Sequence, residues 1–279
     1  MNLFKKIFGK KEKLEETNND KTPYENEVII PFNLTQEDLT KLKMILEPTI
    51  KNATKIILEK SNEIENNSNI KSQFGGEPYF EIDESWPQSK AGVNLSFVFQ
   101  IYNSEGFDIP KKIKLIQFFY DFEEMPWCSD DDGWLMKIYE ELNPERVIRI
   151  EKPKEQEKIN YCEIKFKKVK SLPDWEGLDL HNKVAFEYIC KLETQEPFET
   201  YDEIVKELTG QEDYQSQIGG YPRWVQGEST PENENQENLN LLLQIDTEDE
   251  AGLMWGDVGL IYFFYNEKNK KIEFELQCH

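Results

Sequence analysis

Histidine is nearly missing from this chain, with two in 279 residues, His181 and the C-terminal His279. Nucleophilic catalysis by Ser or Cys needs a base held beside the nucleophile, so a Ser/His or Cys/His site is not expected; His181, in a polar stretch, reads as exposed. Cysteine is also sparse. Cys128, Cys162, Cys190 and Cys278 are scattered with no C-x-x-C spacing. That is the usage of a reducing compartment, with thiols as small core residues and no disulfide frame. No apolar run approaches the ~18 residues that read as a membrane span. The N-terminus lacks the uninterrupted apolar core of a secretory signal, and a cytoplasmic location is expected. Gly-rich phosphate loops and the G-x-S-x-G elbow do not occur. Basic residues are few: 33 Lys and Arg face 55 Asp and Glu, a net charge of −22. A body this acidic repels nucleic acid and suits a partner with a basic surface.

What is present is a core-forming composition and an internal repeat. Aromatics make up 13% of the chain, which argues against disorder despite 32% charge. Gln73-Phe-Gly75-Gly76-Glu-Pro78-Tyr79 is matched by Gln217-Ile-Gly219-Gly220-Tyr-Pro222-Arg-Trp224, an offset of 144. Gln100 and Gln244, each followed by Ile, are also 144 apart, and Leu115–Tyr120 and Leu260–Tyr265 are 145 apart. Constant offset is the mark of a structural repeat. Gly-Gly permits positive φ, and the Pro two residues on disfavours a helix, so each copy reads as a turn into extended chain. The Gln-Ile and Phe-Phe-Tyr runs read as buried strands.

The expected architecture is α+β, mostly antiparallel sheet, an internal duplication of two related halves with helices preceding each half. Pseudo-repeats are placed at about 33–140 and 200–279, with a middle insertion at about 141–199, inside a single domain 28–279. Thr35-Gln-Glu-Asp38 resembles a capping box opening a helix with Leu39, Leu42, Ile45 and Leu46 on one side. Ile50, Ala53, Ile56 and Ile57 suggest a second helix to about Lys60. Arg146–Ile150 and Tyr161–Val169 alternate as strands, with Ile164 and Phe166 opposite Lys165 and Lys167. Leu180, Val184, Tyr188 and Leu192 align on a further helix. Thr200-Tyr-Asp-Glu203 reads as another capping box, on a helix ended by Gly210.

Residues 1–27 form a basic amphipathic tip and polar linker. In the first 13 residues five Lys meet one Glu. Leu3, Phe4, Ile7 and Phe8 share an arc opposite Lys5 and Lys6, which suits weak contact with an anionic membrane interface or a solubilising tail. From Trp224 to Glu267 there are ten acids and no Lys or Arg.

Candidate chemistry is thin. Cys128-Ser-Asp130-Asp131-Asp132-Gly133 fails an EF-hand fit at both ends, and an Asp/Gly turn is expected instead of a metal site. No cofactor is expected. Trp224, Gln226, Trp255 and Asp257 are candidate cleft-lining residues. Gln100 and Gln244, Gln within apolar runs, need hydrogen-bond partners if buried, and hold the halves in register or line a shared cleft.

The chain resembles the YwqG-like family of bacterial proteins over about residues 70–279. The resemblance rests on residues 217–227, Leu241–Asp246, Met254–Phe264 and Leu276-Gln277-Cys278. In the first half it rests on Gly75-Gly76-x-Pro78, Phe99-Gln100-Ile101 and Leu115–Tyr120. It implies a soluble α+β fold with internal duplication and brings no catalytic residue with it. Members often lie near contact-dependent or secreted toxin systems, which implies a toxin-neutralising role. The family's Trp-Pro is kept at Trp86-Pro87, but Glu81 to Glu84 is unusually acidic. The expected function is a non-enzymatic cytoplasmic protein-binding module of immunity type, whose acidic surface engages a basic partner. The alternatives are an enzyme or small-molecule binder with a cleft between the halves, and a peripheral membrane protein held by residues 3–8.

Overall fold

The structure, a computed structural model, describes residues 35–62, 70–193, 195–211 and 214–279. The proposed membrane-interface residues Leu3, Phe4, Lys5, Lys6, Ile7 and Phe8 lie outside the described residues. Helix α1 (Gln36–Leu46) begins at the expected box: Thr35 Oγ1 accepts from Asp38 N, and the Asp38 carboxylate accepts from Thr35 N, both at 3.2 Å. Leu42 and Leu46 face inward. Pro48 then sits in a short 3-10 turn, Glu47–Thr49.

The expected second helix is instead a strand, β1 (Lys51–Lys60). Thr54, Ile56 and Leu58 are buried at every second position. The i, i+3 spacing of Ile50, Ala53 and Ile56 misled because β-branched residues suit both patterns in a short run, and pairing decides. Here β8 (Cys162–Ser171) pairs with β1 over its whole length, from Lys51 opposite Ser171 to Lys60 opposite Cys162. The middle segment, expected as an insertion, thus supplies a central strand.

Further strands are β2 (Gln73–Phe74), β3 (Phe80–Glu81), β4 (Ser96–Tyr102), β5 (Leu115–Tyr120), β6 (Trp134–Tyr139) and β7 (Val147–Ile148). After β8 come helices α2 (Trp175–His181), α3 (Lys183–Leu192) and α4 (Pro197–Thr209). Then follow β9 (Gln217–Gly219), β10 (Leu241–Asp246), β11 (Leu260–Tyr265) and β12 (Ile272–Gln277). The helix expected around Leu180–Leu192 is broken at Asn182, whose side chain accepts from Ala185 N. Leu180 and Val184 are exposed while Ala185 and Ile189 are buried, so the core-facing stripe differs from the aligned one. Helix α4 starts a turn before the expected Thr200 cap, at Pro197, and ends at Gly210 in the left-handed region (φ 72°) as expected.

Ten strands form one antiparallel sheet, ordered β12-β11-β10-β9-β1-β8-β2-β4-β5-β6; β3 and β7 pair separately. The fold is α+β and mostly antiparallel. The sheet curls until its edges nearly meet. Leu276 N donates to Trp127 O at 2.8 Å, Cys128 bridges Glu275, and the Trp134 and Phe274 rings lie 5.1 Å apart. The enclosed space is filled by Phe99, Phe118, Tyr120, Trp255, Phe263 and Phe274.

The outer face is buried as well, which is why these strands read as continuous apolar runs. On β5, Ile116, Phe118 and Tyr120 point in, while Phe119 meets Phe80, Trp86 and Phe97 outside. On β11, Ile261 and Phe263 point in, while Leu260, Tyr262 and Phe264 pack with Trp224 outside. The helices form a layer of their own around Leu42, Leu172, Leu178, Ile189 and Tyr201.

Local geometry recurs at the 144-residue offset. Strands β4 and β10 each break register, between Phe97 and Phe99 and between Leu241 and Leu243, in pairing with β5 and β11. Gln73 Nε2 donates to Gly75 O and Glu77 O, and Gln217 Nε2 donates to Gly219 O and Tyr221 O, all at 3.0 Å. Ser72 Oγ accepts from Tyr102 N and Ser216 Oγ from Asp246 N, both at 2.9 Å.

Candidate functional site

The two Gly-Gly turns sit at opposite ends of the central strand pair. Gly219 lies beside Ala53 on β1, whereas Phe74 lies beside Cys162, which pairs with Lys60. Seven residues of strand separate them, about 23 Å at ~3.3 Å per residue. Each turn is locked where it stands. A Cβ on Gly75 would lie 2.7 Å from Ile159 O, and one on Gly220 would lie 2.8 Å from both Ala53 Cβ and Ser171 Oγ. The turns therefore do not share one cleft.

The candidate residues divide accordingly. Gln100 and Gln244 are buried and have equivalent tasks. Gln100 Oε1 accepts from Tyr79 N at 3.0 Å and its Nε2 donates to Lys71 O at 2.9 Å. Gln244 Oε1 accepts from Arg223 N at 3.1 Å and its Nε2 donates to Gln215 O at 2.8 Å. Each pins the chain leaving its Gly-Gly turn onto the outer face of the sheet beside its own strand, β4 or β10. Trp224 is buried on the outer face against Tyr262, while Trp255 is buried in the filled interior, its ring 5.3 Å from Tyr120. The sheet separates the two. Gln226 is exposed and donates to Cys278 O; Asp257 is exposed, its carbonyl accepting from His279 N. Gln277, not singled out in the sequence, holds the same segment: its Oε1 accepts from Val225 N and Gln226 N.

Around the second turn the structure gathers titratable groups drawn from three separate stretches of the sequence, Lys51, Asp174 to His181, and Arg223 to Glu228. Asp174, the N-cap of α2, is buried and accepts from Gly177 N and Trp224 N. Burial pushes its carboxyl up to about 6, against those two hydrogen bonds and the Arg223 charge. His181 is half-buried, not exposed as expected, with its ring 4.7 Å from that of Tyr221. Burial and then the nearby Lys51 lower its pKa. Lys51 stands 4.1 Å over the other part of this aromatic site, the Tyr221 ring, and burial lowers its pKa too. The Glu228 carboxylate accepts from Trp224 Nε1 at 3.0 Å. His181 Nε2 and Arg223 Nε are buried with no hydrogen-bond partner. Shifted groups in one place mark a site candidate. The legible signal was Asp174 before a helical stretch, a cap pattern; the neighbours come from strands and loops with no such mark.

A second titrating carboxyl lies on the β10–β11 connection. Glu248 accepts from Ser216 Oγ, and burial pushes it up to about 7, with Asp246 and Glu250 adding to the rise.

The Cys128–Gly133 stretch is a turn: the Asp131 carboxylate accepts from Trp127 N at 2.7 Å and Cys128 N at 3.1 Å. No cluster of three or more metal-ligating side chains occurs among the described residues. Among those residues no helix is long and apolar enough to cross a membrane. The acid-rich run after Trp224 shows Glu232, Glu234, Glu237, Asp249, Glu250 and Asp257 at the surface.

A family model for a domain of unknown function, DUF1963, matches residues 72–275, which contain both Gly-Gly turns and ten of the twelve strands in full. No curated protein matches the chain.

Proposed function

The chain belongs to the DUF1963 family, and from that footing we propose that it is a protein-binding module engaging a basic partner through its acidic surface. The observation that carries this reading is the charge: −22 overall, with ten acids and no Lys or Arg from Trp224 to Glu267. Such a field steers a cationic protein to the surface and raises its on-rate. The filled interior and the separated Gly-Gly turns support it, since a large central cleft has no room. Within this reading the chain is YwqG-like, its halves stem from a duplication, it works in the cytoplasm, and its partner is a toxin that it neutralises.

The test is capture at low salt followed by titration of the purified partner. The full chain is compared with a variant carrying Glu232→Gln, Asp249→Asn, Glu250→Gln and Asp257→Asn. A basic partner is expected, bound at least tenfold more weakly by the variant and more weakly as salt rises. A neutral or acidic partner, or equal binding by the variant, overturns the reading.

A small-molecule or enzymatic role has one specific observation in its favour, the Asp174, His181, Lys51 and Arg223 group at the second turn. It calls for a compound that raises the melting temperature of the wild type but not of Arg223→Gln; a metabolite screen with no such compound removes it. Peripheral membrane contact through Leu3 to Phe8 is part of the proposal as well. Equal co-sedimentation with anionic liposomes, with or without residues 1–16, would eliminate it.

A further inference from the structure

The loops 121–133 and 247–259 meet at the seam where the sheet's edges approach. Three large apolar side chains stand out there: Trp127 is 45% exposed, Met254 60% and Val258 52%. Trp127 adjoins the loop that carries the other two. Gly256 lies between Met254 and Val258, and a Cβ on it would stand 3.7 Å from the Trp127 ring. Beneath them Trp255 stacks on Phe122, with ring centroids 6.0 Å apart.

The backbone here is unusual too. Met125 (φ 48°) and Val258 (φ 51°) adopt the left-handed region, and Val258 is the one β-branched residue that does so among the described residues. A β-branched side chain strongly disfavours that conformation. Since Val258 is also exposed, packing within the fold does not repay the strain. The surroundings are acidic: the two loops carry ten Asp and Glu and no Lys or Arg. Lys271, within electrostatic reach of Asp130, is tied to Glu273 at 2.7 Å.

We infer that this seam patch is the docking surface for the basic partner. The occupant it fits is an arginine-bearing polypeptide segment, a guanidinium over the Trp127 ring, apolar neighbours on Met254 and Val258, and further cations against Asp257, Glu123 and Glu124. This rests on the binding reading above and gives that reading a location. A guanidinium pairs with an indole face and with carboxylates at once. A second copy of the chain is a poor occupant, because two bodies of this charge repel.

The test uses the full chain and a fluorescent nona-arginine peptide, with nona-lysine as comparator, followed by anisotropy at 50 and 300 mM salt. Trp127→Ala is expected to weaken nona-arginine binding about fivefold and to erase the preference over nona-lysine. Trp127→Phe should restore most of both, whereas a Glu232→Gln, Glu234→Gln, Glu237→Gln variant, which weakens the shared acidic field, should lower affinity for both peptides alike and leave the preference unchanged. Urea midpoints confirm that each variant is folded. If Trp127→Ala binds like wild type while the triple variant binds weakly, the patch is wrong and the acidic-surface reading stands. If wild type fails to bind at 50 mM salt, both fail. Concentration-dependent dimerisation abolished by Trp127→Ala would put a second copy on the patch and overturn the inference.

Discussion

Gln217→Met is the substitution that best separates a structural from a ligand-binding role for the twin turns. Gln217 is fully buried, and its Nε2 holds two carbonyls, Gly219 O and Tyr221 O, at 3.0 Å each. Its Oε1 accepts from Gln215 Nε2 at 2.9 Å. Met matches the shape of Gln closely and donates nothing, so packing is kept while three buried polar groups lose a partner. An unsatisfied buried group costs about 1–3 kcal/mol, and the three share one network, so a total of about 2–5 kcal/mol is expected. For a chain of this size that is a melting-temperature drop of roughly 5–15 °C. In urea it lowers the midpoint by about 1 M or more, with an unchanged slope if only the native state is affected. Gln73→Met should cost slightly less, because Gln73 makes two matching carbonyl bonds, to Gly75 O and Glu77 O, while Gln217 also holds Gln215. Gln226→Ala, at an exposed side chain, should stay within about 0.5 kcal/mol. If Gln217→Met loses less than about 0.5 kcal/mol, the turn is not held by this side chain and the reasoning fails.

Two further outcomes follow from the same geometry. Gly220→Ala should destabilise by more than about 2 kcal/mol, since φ is 78° and the new Cβ meets Ala53 and Ser171 at 2.8 Å; Gly92→Ala, with open space around it, should cost only its positive-φ strain, and equal urea midpoints for the two would refute the close-packing argument. The Glu248 carboxyl is raised from 4.5 to about 7. The folded state therefore holds the extra proton, and this stabilisation is complete at low pH and lost as pH rises through 7. Glu248→Gln removes the dependence, so its stability relative to wild type should rise by about 2–3 kcal/mol from pH 4 to pH 8; a difference that is flat with pH would show that the carboxyl titrates normally.

The buried strands were legible because both faces of the curled sheet are covered, which leaves continuous apolar runs such as Leu115–Tyr120 and Leu260–Tyr265. The twin turns were legible because glycine pairs followed by proline carry a backbone requirement that needs no partner to be read. The Thr35 box and the Gly210 stop were legible for the same local reason. Strand β1 was not, since Ile50 to Ile57 satisfies a helical spacing and only the ten-residue pairing with β8 makes it extended. Nor was the site. Trp224 and Trp255 are candidates for one cleft wall in the sequence, yet the loops after β9 and β10 carry them to opposite faces of the sheet. Asp174, His181, Lys51 and Arg223 carry no shared spacing, because a curled sheet and a helix break at Asn182 bring them together. Sequence alone determined the recurring Gly-Gly-x-Pro turns, the antiparallel α+β class and the acidic field, all of which depend on local pattern or on composition. Only the tertiary structure decided how the turns are spaced, which side chains meet, and that the interior is closed, because those depend on pairing between segments remote in the chain.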